Sequence, residues 1–382
     1  MKKSVQIIYI CIFVVFLAAP VLFFKLGGSK LVDSSNSENR TLSEMPSLEM
    51  SRESIEGFAD SFESFFNDHL PFRNQLVTLG GLADYDVFHD TNSDSVIIGK
   101  KGWLFYKGSQ INGEDPVADY EGTNLFTVDE LEQIAANMTQ MKADLEANGV
   151  KKFVIMICPN KERVYSEYMP DSYGELTEYG RMEQVVDYLE QNTDIAIVCP
   201  YDTIMTYKEE HPDEQLYFKY DTHWNNEGAF LGAYDLYKAL YVEDMPSLDQ
   251  LGKEDGSVPT YDLARLIHLG NVLNNDPAPI LKGYTLHSVD ETRNDDNTVF
   301  SFNNPNKDGI DSNLMIIGDS FSSLMSPFLG YNYNHLYTTF YYRYSYADLE
   351  REQPDTVVYE VVERYINNMS KFSVEDGLSM YD

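Results

Sequence analysis

Basic residues are scarce in this sequence. Its 382 residues include 28 Lys and Arg against 62 Asp and Glu, which gives a formal net charge of −34 at pH 7. Proteins that bind nucleic acid through its phosphates need a basic stripe or patch, and this composition supplies none. A nucleic-acid partner is therefore not expected, and broad adhesion to an anionic surface is disfavoured for the same reason.

Cysteine and histidine are also few, with 3 and 7 residues. No Cys-x-x-Cys pair and no His-rich spacing indicates a metal, so no metal site is predicted. Cys158 and Cys199 each end an apolar run and precede a proline, as equivalent ends of two neighbouring strands would. They fit either a buried pair of free thiols or a disulfide formed outside the cell.

Charge is absent from one long stretch near the start of the chain. Two lysines precede the mostly apolar residues 5–24, and Lys25 follows them. This length is enough to cross a bilayer, and Pro20 disfavours cleavage by a signal peptidase. We therefore expect an uncleaved signal anchor, a transmembrane helix at 1–25, with cleavage as the alternative. The predicted location is the cell membrane, as a single-pass protein whose main domain is extracytoplasmic.

The rest of the chain divides by composition into a short and a long part. Residues 26–50 are rich in Gly, Ser, Asn and Glu and predict an extracytoplasmic linker. Residues 51–382 predict one catalytic domain. Within it the polar stretch 242–312 is expected to form loops, a helical piece at 261–269 and a short β-excursion.

Helical patterns alternate with short apolar runs in the long part. A capping box at Thr127 and Glu130 begins a predicted helix, and the apolar run 153–157 follows it. Further apolar runs at 313–317 and 356–362 have the length of buried strands. This alternation is typical of βαβ units. The predicted fold is therefore α/β, with a parallel central sheet flanked by helices.

Two motifs at the expected edge of this sheet carry reactive groups. Asp221 and His223 lie two positions apart, and Ser320 follows an apolar run and a Gly-Asp pair. A serine hydroxyl attacks an acyl carbonyl only when a base takes its proton, and that imidazole needs a carboxylate to fix its tautomer. We predict a triad in which Ser320 is the nucleophile, His223 the general base and Asp221 its orienting partner. The Ser320 backbone N–H, at a helix start, is suited to stabilise an oxyanion.

Each motif alone is a weak signal. A serine in such a turn can simply cap a helix, and His223 can be a hydrogen-bonded core residue. A metal at Asp221 and His223 would need further ligands that the sequence does not obviously supply. The joint occurrence of both motifs at the carboxyl ends of core elements favours the triad, because catalytic groups of α/β folds cluster at that edge.

The motifs resemble those of the DHHW family and of the related periplasmic alginate O-acetyltransferase proteins, in the SGNH-hydrolase-like superfamily. Other shared motifs run along most of the chain: Glu38-Asn39-Arg40, Asp68-His69, Gly99 to Tyr106, Pro159-Asn160-Lys161, Tyr165 and Pro170. The resemblance implies an SGNH-hydrolase-like, flavodoxin-like three-layer fold. In ordinary SGNH hydrolases the serine motif comes first. Here it comes last, as in the alginate acetylation proteins, which favours a transferase over an esterase.

The resemblance also implies a function. It suggests an extracytoplasmic O-acetyltransferase that needs no cofactor, acts on a cell-surface polysaccharide and receives acetyl groups from a membrane acyltransferase. A second oxyanion donor is expected at Asn160 or the backbone near it, and Arg343 either positions substrate or packs among aromatics. The Tyr-rich stretch 331–346 suits stacking on sugar rings or ordinary packing. A carbohydrate esterase with the same triad and a non-catalytic scaffold for polysaccharide assembly are the alternatives.

Overall fold

The computed structural model describes residues 7, 9–10, 13–15, 43–47, 52–69, 73–109, 114–242, 245–284 and 289–378. Most of the predicted signal anchor and linker lies outside these residues. Among the residues described, no helix combines the length and the apolar character needed to cross a membrane. The chain divides into two compact units, Met1–Asn92 with Ala264–Val272, and Ser93–Leu263 with Leu273–Asp382.

The described part of the smaller unit is mainly helical. It contains α1 (Arg52–Asp68), α2 (Arg73–Ala83) and a π-helical turn, Asp84–Phe88. The segment Ala264–Val272 belongs to this unit and packs closely on α2, because a Cβ added to Gly81 would lie 2.8 Å from the carbonyl oxygen of Ile267.

The larger unit holds the remaining helices and all the described strands. Its helices are α3 (Pro116–Glu121), α4 (Val128–Ala147), α5 (Lys161–Val164), α6 (Arg181–Asn192), α7 (Tyr201–Glu210), α8 (Asn226–Ala239), α9 (Asp262–Leu266, which begins in this unit), α10 (Ser322–Gly330) and α11 (Tyr346–Glu352). Its strands are β1 (Val96–Ile98), β2 (Leu104–Tyr106), β3 (Lys152–Cys158), β4 (Ala196–Val198), β5 (Gly252–Glu254), β6 (Ile280–Lys282), β7 (Asp290–Arg293), β8 (Val299–Asn303), β9 (Ile310–Gly318), β10 (Tyr333–Phe340) and β11 (Thr356–Val362).

A seven-stranded sheet organises this unit, in the order β4-β3-β11-β9-β10-β8-β7. The strands from β4 to β10 are parallel to their neighbours, whereas β8 and β7 complete one side as antiparallel strands. Two small antiparallel pairs, β1 with β2 and β5 with β6, lie outside the sheet. The α/β class predicted from the sequence, with a largely parallel sheet, is confirmed.

Apolar side chains cover both faces of the sheet. Because successive residues of a strand point to opposite faces, Val154 and Met156 of β3 join one buried cluster, while Ile155 and Ile157 join the other. Helices α8 and α10 contribute to the first cluster, and α4 and α6 to the second. The result is three layers, with helices on either side of the sheet.

Side chains cap the first turn of two of these helices, and the capping box at Thr127 and Glu130 confirms a prediction. The N–H of Thr127 donates to Oε2 of Glu130 over 2.8 Å, and the N–H of Glu130 donates to Oγ1 of Thr127 over 3.3 Å. This reciprocal capping box begins α4. At α8 the Asn225 side chain accepts hydrogen bonds from the N–H groups of the first turn.

Two stretches of the sequence hold more β-structure than expected. The polar region 242–312 contributes β7 and β8 to the main sheet, and the Tyr-rich region 331–346 contains the core strand β10. Tyr337 shows how a tyrosine of the second stretch packs in the core, which was one of the two alternatives for this stretch. Its ring is buried in the core, while its hydroxyl donates to Asp348 over 3.0 Å, so a polar tip is satisfied inside the protein.

Gly318, the last residue of β9, has no room for a side chain. A Cβ there would lie 2.5 Å from Oε2 of Glu360 and 3.1 Å from Glu360 Cβ. We expect Gly318→Ala to lower the free energy of unfolding by about 1–3 kcal/mol, the usual cost of overpacking a core. Denaturant unfolding measures this. Gly252→Ala is the matched control, since a Cβ at that exposed position meets its nearest neighbour at an ordinary 3.5 Å. Equal stability of the two variants would contradict the steric explanation.

Candidate active site

A continuous chain of hydrogen bonds joins the three residues of the predicted triad. Oγ of Ser320 lies 2.7 Å from Nε2 of His223, and Nδ1 of His223 lies 2.6 Å from Oδ1 of Asp221. The side chains of His223 and Asp221 are 23% and 13% exposed, so the chain is shielded but still reachable. With the proton on Nδ1 shared with Asp221, Nε2 is free to accept the serine proton.

The aspartate and the histidine lie in a tight loop. An antiparallel bridge between Tyr217 and Trp224 closes the loop, and the N–H of Phe218 donates to the carbonyl of His223 over 3.1 Å. Asp221 accepts a hydrogen bond from the N–H of His223 over 3.1 Å, besides the one to the ring. Both side chains therefore converge around a turn rather than along an extended strand.

The serine lies in the turn that follows β9, at the carboxyl edge of the sheet. The side chain of the preceding residue, Asp319, holds this turn, because it accepts hydrogen bonds from the N–H of Phe321 over 2.9 Å and of Val362 over 2.8 Å. The N–H of Asp319 in turn donates to Glu360 over 3.0 Å. Within the described part of the chain the Ser320 N–H donates no hydrogen bond, which suits it to receive an oxyanion.

Trp224 connects the two halves of the site. Its indole N–H donates to the carbonyl of Phe321 over 3.1 Å, and the tryptophan is 0% exposed. The ring of Phe321 lies 5.3 Å from the His223 ring and 4.9 Å from the Trp224 ring, measured between centroids. These contacts hold the histidine loop against the serine turn.

Lys161 holds the backbone of the histidine loop by hydrogen bonds. Its ammonium donates to the carbonyls of Lys219 over 3.0 Å and of Asp221 over 2.7 Å. The group also lies 5.4 Å from the ring centroid of Trp103 and 5.2 Å from that of Phe105. Burial lowers the pKa of Lys161 to about 8.

We expect Lys161→Met to reduce acyl transfer by about 10²-fold, since a displacement of roughly 1 Å in a catalytic loop costs this much. The rate of acetyl transfer from an activated acetyl ester measures the effect. Lys219→Met is the matched control, because the Lys219 ammonium lies over the Tyr220 ring at 5.2 Å instead of holding the loop. A similar loss in both variants would contradict the proposed support.

Charges around the histidine favour its protonated form. Burial lowers the pKa of His223, but the charge of Asp221 and its hydrogen bond outweigh this and raise it above the ordinary value. Burial likewise opposes ionisation of Asp221, yet the charge and hydrogen bond of His223 lower its pKa to about 2. The imidazolium that forms when a base takes the serine proton is therefore stabilised.

A third acidic residue, Asp262, lies beside the pair. Ligand atoms of Asp221, His223 and Asp262 lie within 4.8 Å of one another, which is close enough for a cation. The same atoms are engaged in hydrogen bonds, however: the ring nitrogen with Asp221, and both Asp262 oxygens with the protein. The set therefore fits a proton-transfer site better than a metal site.

The structure places the two further predicted residues outside the triad's hydrogen bonds. Asn160 is buried, and its amide nitrogen lies 3.3 Å from Oδ2 of Asp119, with Arg364 3.5 Å from its amide oxygen. Arg343 forms an ion pair with Asp296 and is half exposed. Their roles in oxyanion and substrate binding stay predictions.

Four residues that support the site were not predicted: Lys161, Asp262, Glu360 and Arg364. Two of them left a signal in the sequence. Lys161 lies three residues after the end of the buried strand β3, and Glu360 is an acidic residue within the largely apolar β11. The guanidinium carbon of Arg364 lies 5.4 Å from the Phe321 ring centroid, and its Nε lacks a hydrogen-bond partner among the described residues.

Hydrogen-bonded serine, histidine and aspartate side chains at the carboxyl edge of the sheet, within a three-layer α/β fold, are the arrangement of an SGNH-hydrolase-like domain. The chain belongs to the family described as ALGX, the SGNH hydrolase-like domain of the acetyltransferase AlgX, whose model matches residues 96–335. This membership confirms the resemblance drawn from the motifs. No curated protein matches the sequence.

Several solved structures are similar to this chain. Bacillus cereus PatB1 with a sulfonyl adduct has 16% identity and a TM-score of 0.53, over 75% of this chain and 99% of that one. A DHHW family protein from Eubacterium siraeum DSM 15702 has 15% identity and a TM-score of 0.48, over 75% and 99%. The O-acetyltransferase domain of Pseudomonas putida AlgJ has 18% identity and a TM-score of 0.46, over 75% and 96%. At such identities the likeness to PatB1 shows a shared fold.

Proposed function

We propose that this protein is an extracytoplasmic O-acetyltransferase that modifies a cell-surface polysaccharide. The observation that carries the proposal is the unbroken hydrogen-bond chain from Asp221 through His223 to Ser320. Such a chain prepares a serine for acyl chemistry, and membership of the AlgX acetyltransferase family supports transfer of an acetyl group.

The first half-reaction acetylates Ser320. Nε2 of His223 takes the hydroxyl proton while Oγ attacks the carbonyl carbon of the acetyl donor, and the N–H of Ser320 stabilises the oxyanion. The bond to the donor's leaving group then breaks, and His223 gives that group the proton. Asp221 keeps its hydrogen bond to Nδ1 throughout, so the imidazolium is stabilised while it exists.

The second half-reaction releases the acetyl group to a sugar. A hydroxyl of the polysaccharide attacks the acetyl carbonyl while Nε2 of His223 takes its proton. The ester bond to Oγ then breaks, and the proton returns to Ser320. The reaction is ping-pong, and neither half requires a cofactor.

The sequence supports the assignment of place and partners. The apolar residues 5–24 have the length of a membrane anchor, which supports a catalytic domain that acts outside the cell. The resemblance to the alginate O-acetyltransferase proteins supports a membrane acyltransferase as the partner that supplies acetyl groups. A net charge of −34 would repel a strongly anionic polymer, so a neutral or weakly charged polysaccharide is the better acceptor.

Intact-protein mass spectrometry tests this function. The full-length chain is incubated with an activated acetyl ester, and peptide mapping locates any added acetyl group. The proposal predicts an adduct on Ser320 that water removes slowly and a neutral oligosaccharide removes quickly. An adduct that water clears at once would favour the esterase. No adduct, with acetate released at the background rate, would indicate a non-catalytic scaffold.

A further inference from the structure

Thr222, the residue between the aspartate and histidine of the triad, links them to a second carboxylate. Its hydroxyl donates to Oδ2 of Asp262 over 2.5 Å, and its N–H donates to Oδ1 over 2.8 Å. Since the hydroxyl proton faces Asp262, a lone pair of Oγ1 faces the ring of His223, whose Nδ1 lies 3.2 Å away. Nδ1 thus has a second acceptor beyond Asp221.

Backbone N–H groups also link the two aspartates. The N–H of Asp262 donates to Oδ2 of Asp221 over 2.7 Å, the oxygen that the histidine does not use. Asp262 in turn binds the N–H of Thr222, next in sequence to Asp221. One pair of side chains therefore fixes the loop from both directions, and Oδ2 of Asp262 lies 3.8 Å from Nδ1 of His223.

We propose that Asp262, acting through Thr222, is a positioning residue that serves as a second carboxylate of the triad. It orients the His223 ring and increases its basicity. This inference rests on the proposed function for its effect on catalysis, but its effect on the histidine can be measured without turnover.

The charges near Asp262 set the pH range of the effect. Burial, followed by the charge of Asp221, raises the pKa of Asp262 to about 6, while His223 opposes this rise. Lys161 also faces the acidic pair, and Arg364 is a nearby cation that lowers the pKa of His223. When Asp262 is ionised, its charge adds to that of Asp221 in favouring the imidazolium.

Replacing Asp262 with asparagine removes the charge and keeps the shape. The remaining amide oxygen can still accept a hydrogen bond from the N–H of Thr222, so the loop conformation is retained. The amide nitrogen, by contrast, donates a hydrogen bond to the hydroxyl oxygen of Thr222. The Thr222 hydroxyl can then turn its proton towards Nδ1, which disfavours the tautomer the triad needs. The ring becomes both less basic and less well oriented.

The direct test is an NMR titration of the His223 ring in the full-length protein, with its signal assigned from a His223→Gln variant. We expect Asp262→Asn to lower the pKa of His223 by about one unit, as the loss of a carboxylate within 4 to 6 Å does. Thr222→Val, which removes the hydroxyl, should lower it partly, and Thr222→Ser should leave it unchanged. Asp202→Asn, at an exposed site on α7, controls for the loss of one negative charge.

The pH profile of acetyl transfer gives a second readout. Activity requires neutral His223 and is lost as the pH falls through its pKa. The acid limb of the profile, where activity falls with falling pH, should therefore move to lower pH in Asp262→Asn. The maximal rate, on the plateau above this limb, should fall on the order of tenfold, the equivalent of one charge-assisted hydrogen bond. A purely structural residue would lower the plateau without moving the limb.

An unchanged His223 pKa in Asp262→Asn and Thr222→Val would overturn the proposal. A shifted pKa in a protein without transferase activity would keep it and reject the proposed function.

Discussion

Replacing Ser320 with alanine is expected to abolish acetylation of the protein and to reduce acetyl transfer by about 10⁴–10⁶-fold, as the loss of a serine nucleophile does in comparable triads. The only atom removed is Oγ, which lies 2.7 Å from Nε2 of His223. With this oxygen absent, the covalent intermediate of the proposed ping-pong reaction cannot form. Initial rates with an activated acetyl ester and an oligosaccharide acceptor measure the loss.

Ser323→Ala is the matched control for this variant. Ser323 lies one turn further on, in α10, and its N–H donates to the carbonyl of Ser320 over 3.2 Å, a bond that alanine retains. Thermal unfolding should be similar for both variants and the wild type. If Ser320→Ala kept more than a small fraction of the transfer rate, another group would have to be the nucleophile.

Asp221→Asn is expected to reduce the rate of acetyl transfer by about 10⁴-fold, with little change in size or shape. An amide nitrogen facing Nδ1 would favour the imidazole tautomer that carries its proton on Nε2. That nitrogen could then no longer take the proton of Ser320. The same substitution removes the charge that raises the pKa of His223, so the residual activity should extend to lower pH.

Asp235→Asn provides the comparison. Asp235 also forms an ion pair, with Lys238 at 2.9 Å on α8, but neither residue forms a hydrogen bond or an ion pair with the triad among the described residues. We expect the rate of acetyl transfer by Asp235→Asn to match that of the wild type. A loss in Asp221→Asn no larger than in Asp262→Asn would show that the two carboxylates have equal roles, contrary to the geometry.

The proximity of Asp221, His223 and Ser320 could be predicted because the signals of these residues are local. Asp221 and His223 are two residues apart, and Ser320 ends a run of apolar residues, so each half is visible within a short window. Their meeting followed from the rule that catalytic groups collect at the carboxyl edge of a parallel sheet. No long-range contact had to be known in advance.

The supporting residues act over distances that such windows do not cover. Asp262 binds Asp221 from 41 residues away, and Glu360 binds Asp319 from the same separation. Neither pairing is indicated by a periodicity or a motif in the sequence. The strand β10 was missed for a different reason, because its tyrosines satisfy their hydroxyls by tertiary contacts that propensity does not encode.

The position of β11 has a consequence for the order of events in biosynthesis. This strand follows all the other described strands in sequence, yet it lies between β3 and β9 in the sheet. Until it is in place, β4 and β3 share no ladder with the strands from β9 onward, and Asp319 lacks its bond to Val362. A growing chain can therefore hold the complete set of reactive side chains and still be inert. We therefore expect the proposed acyl chemistry to begin only after β11 has joined β3 and β9 in the sheet.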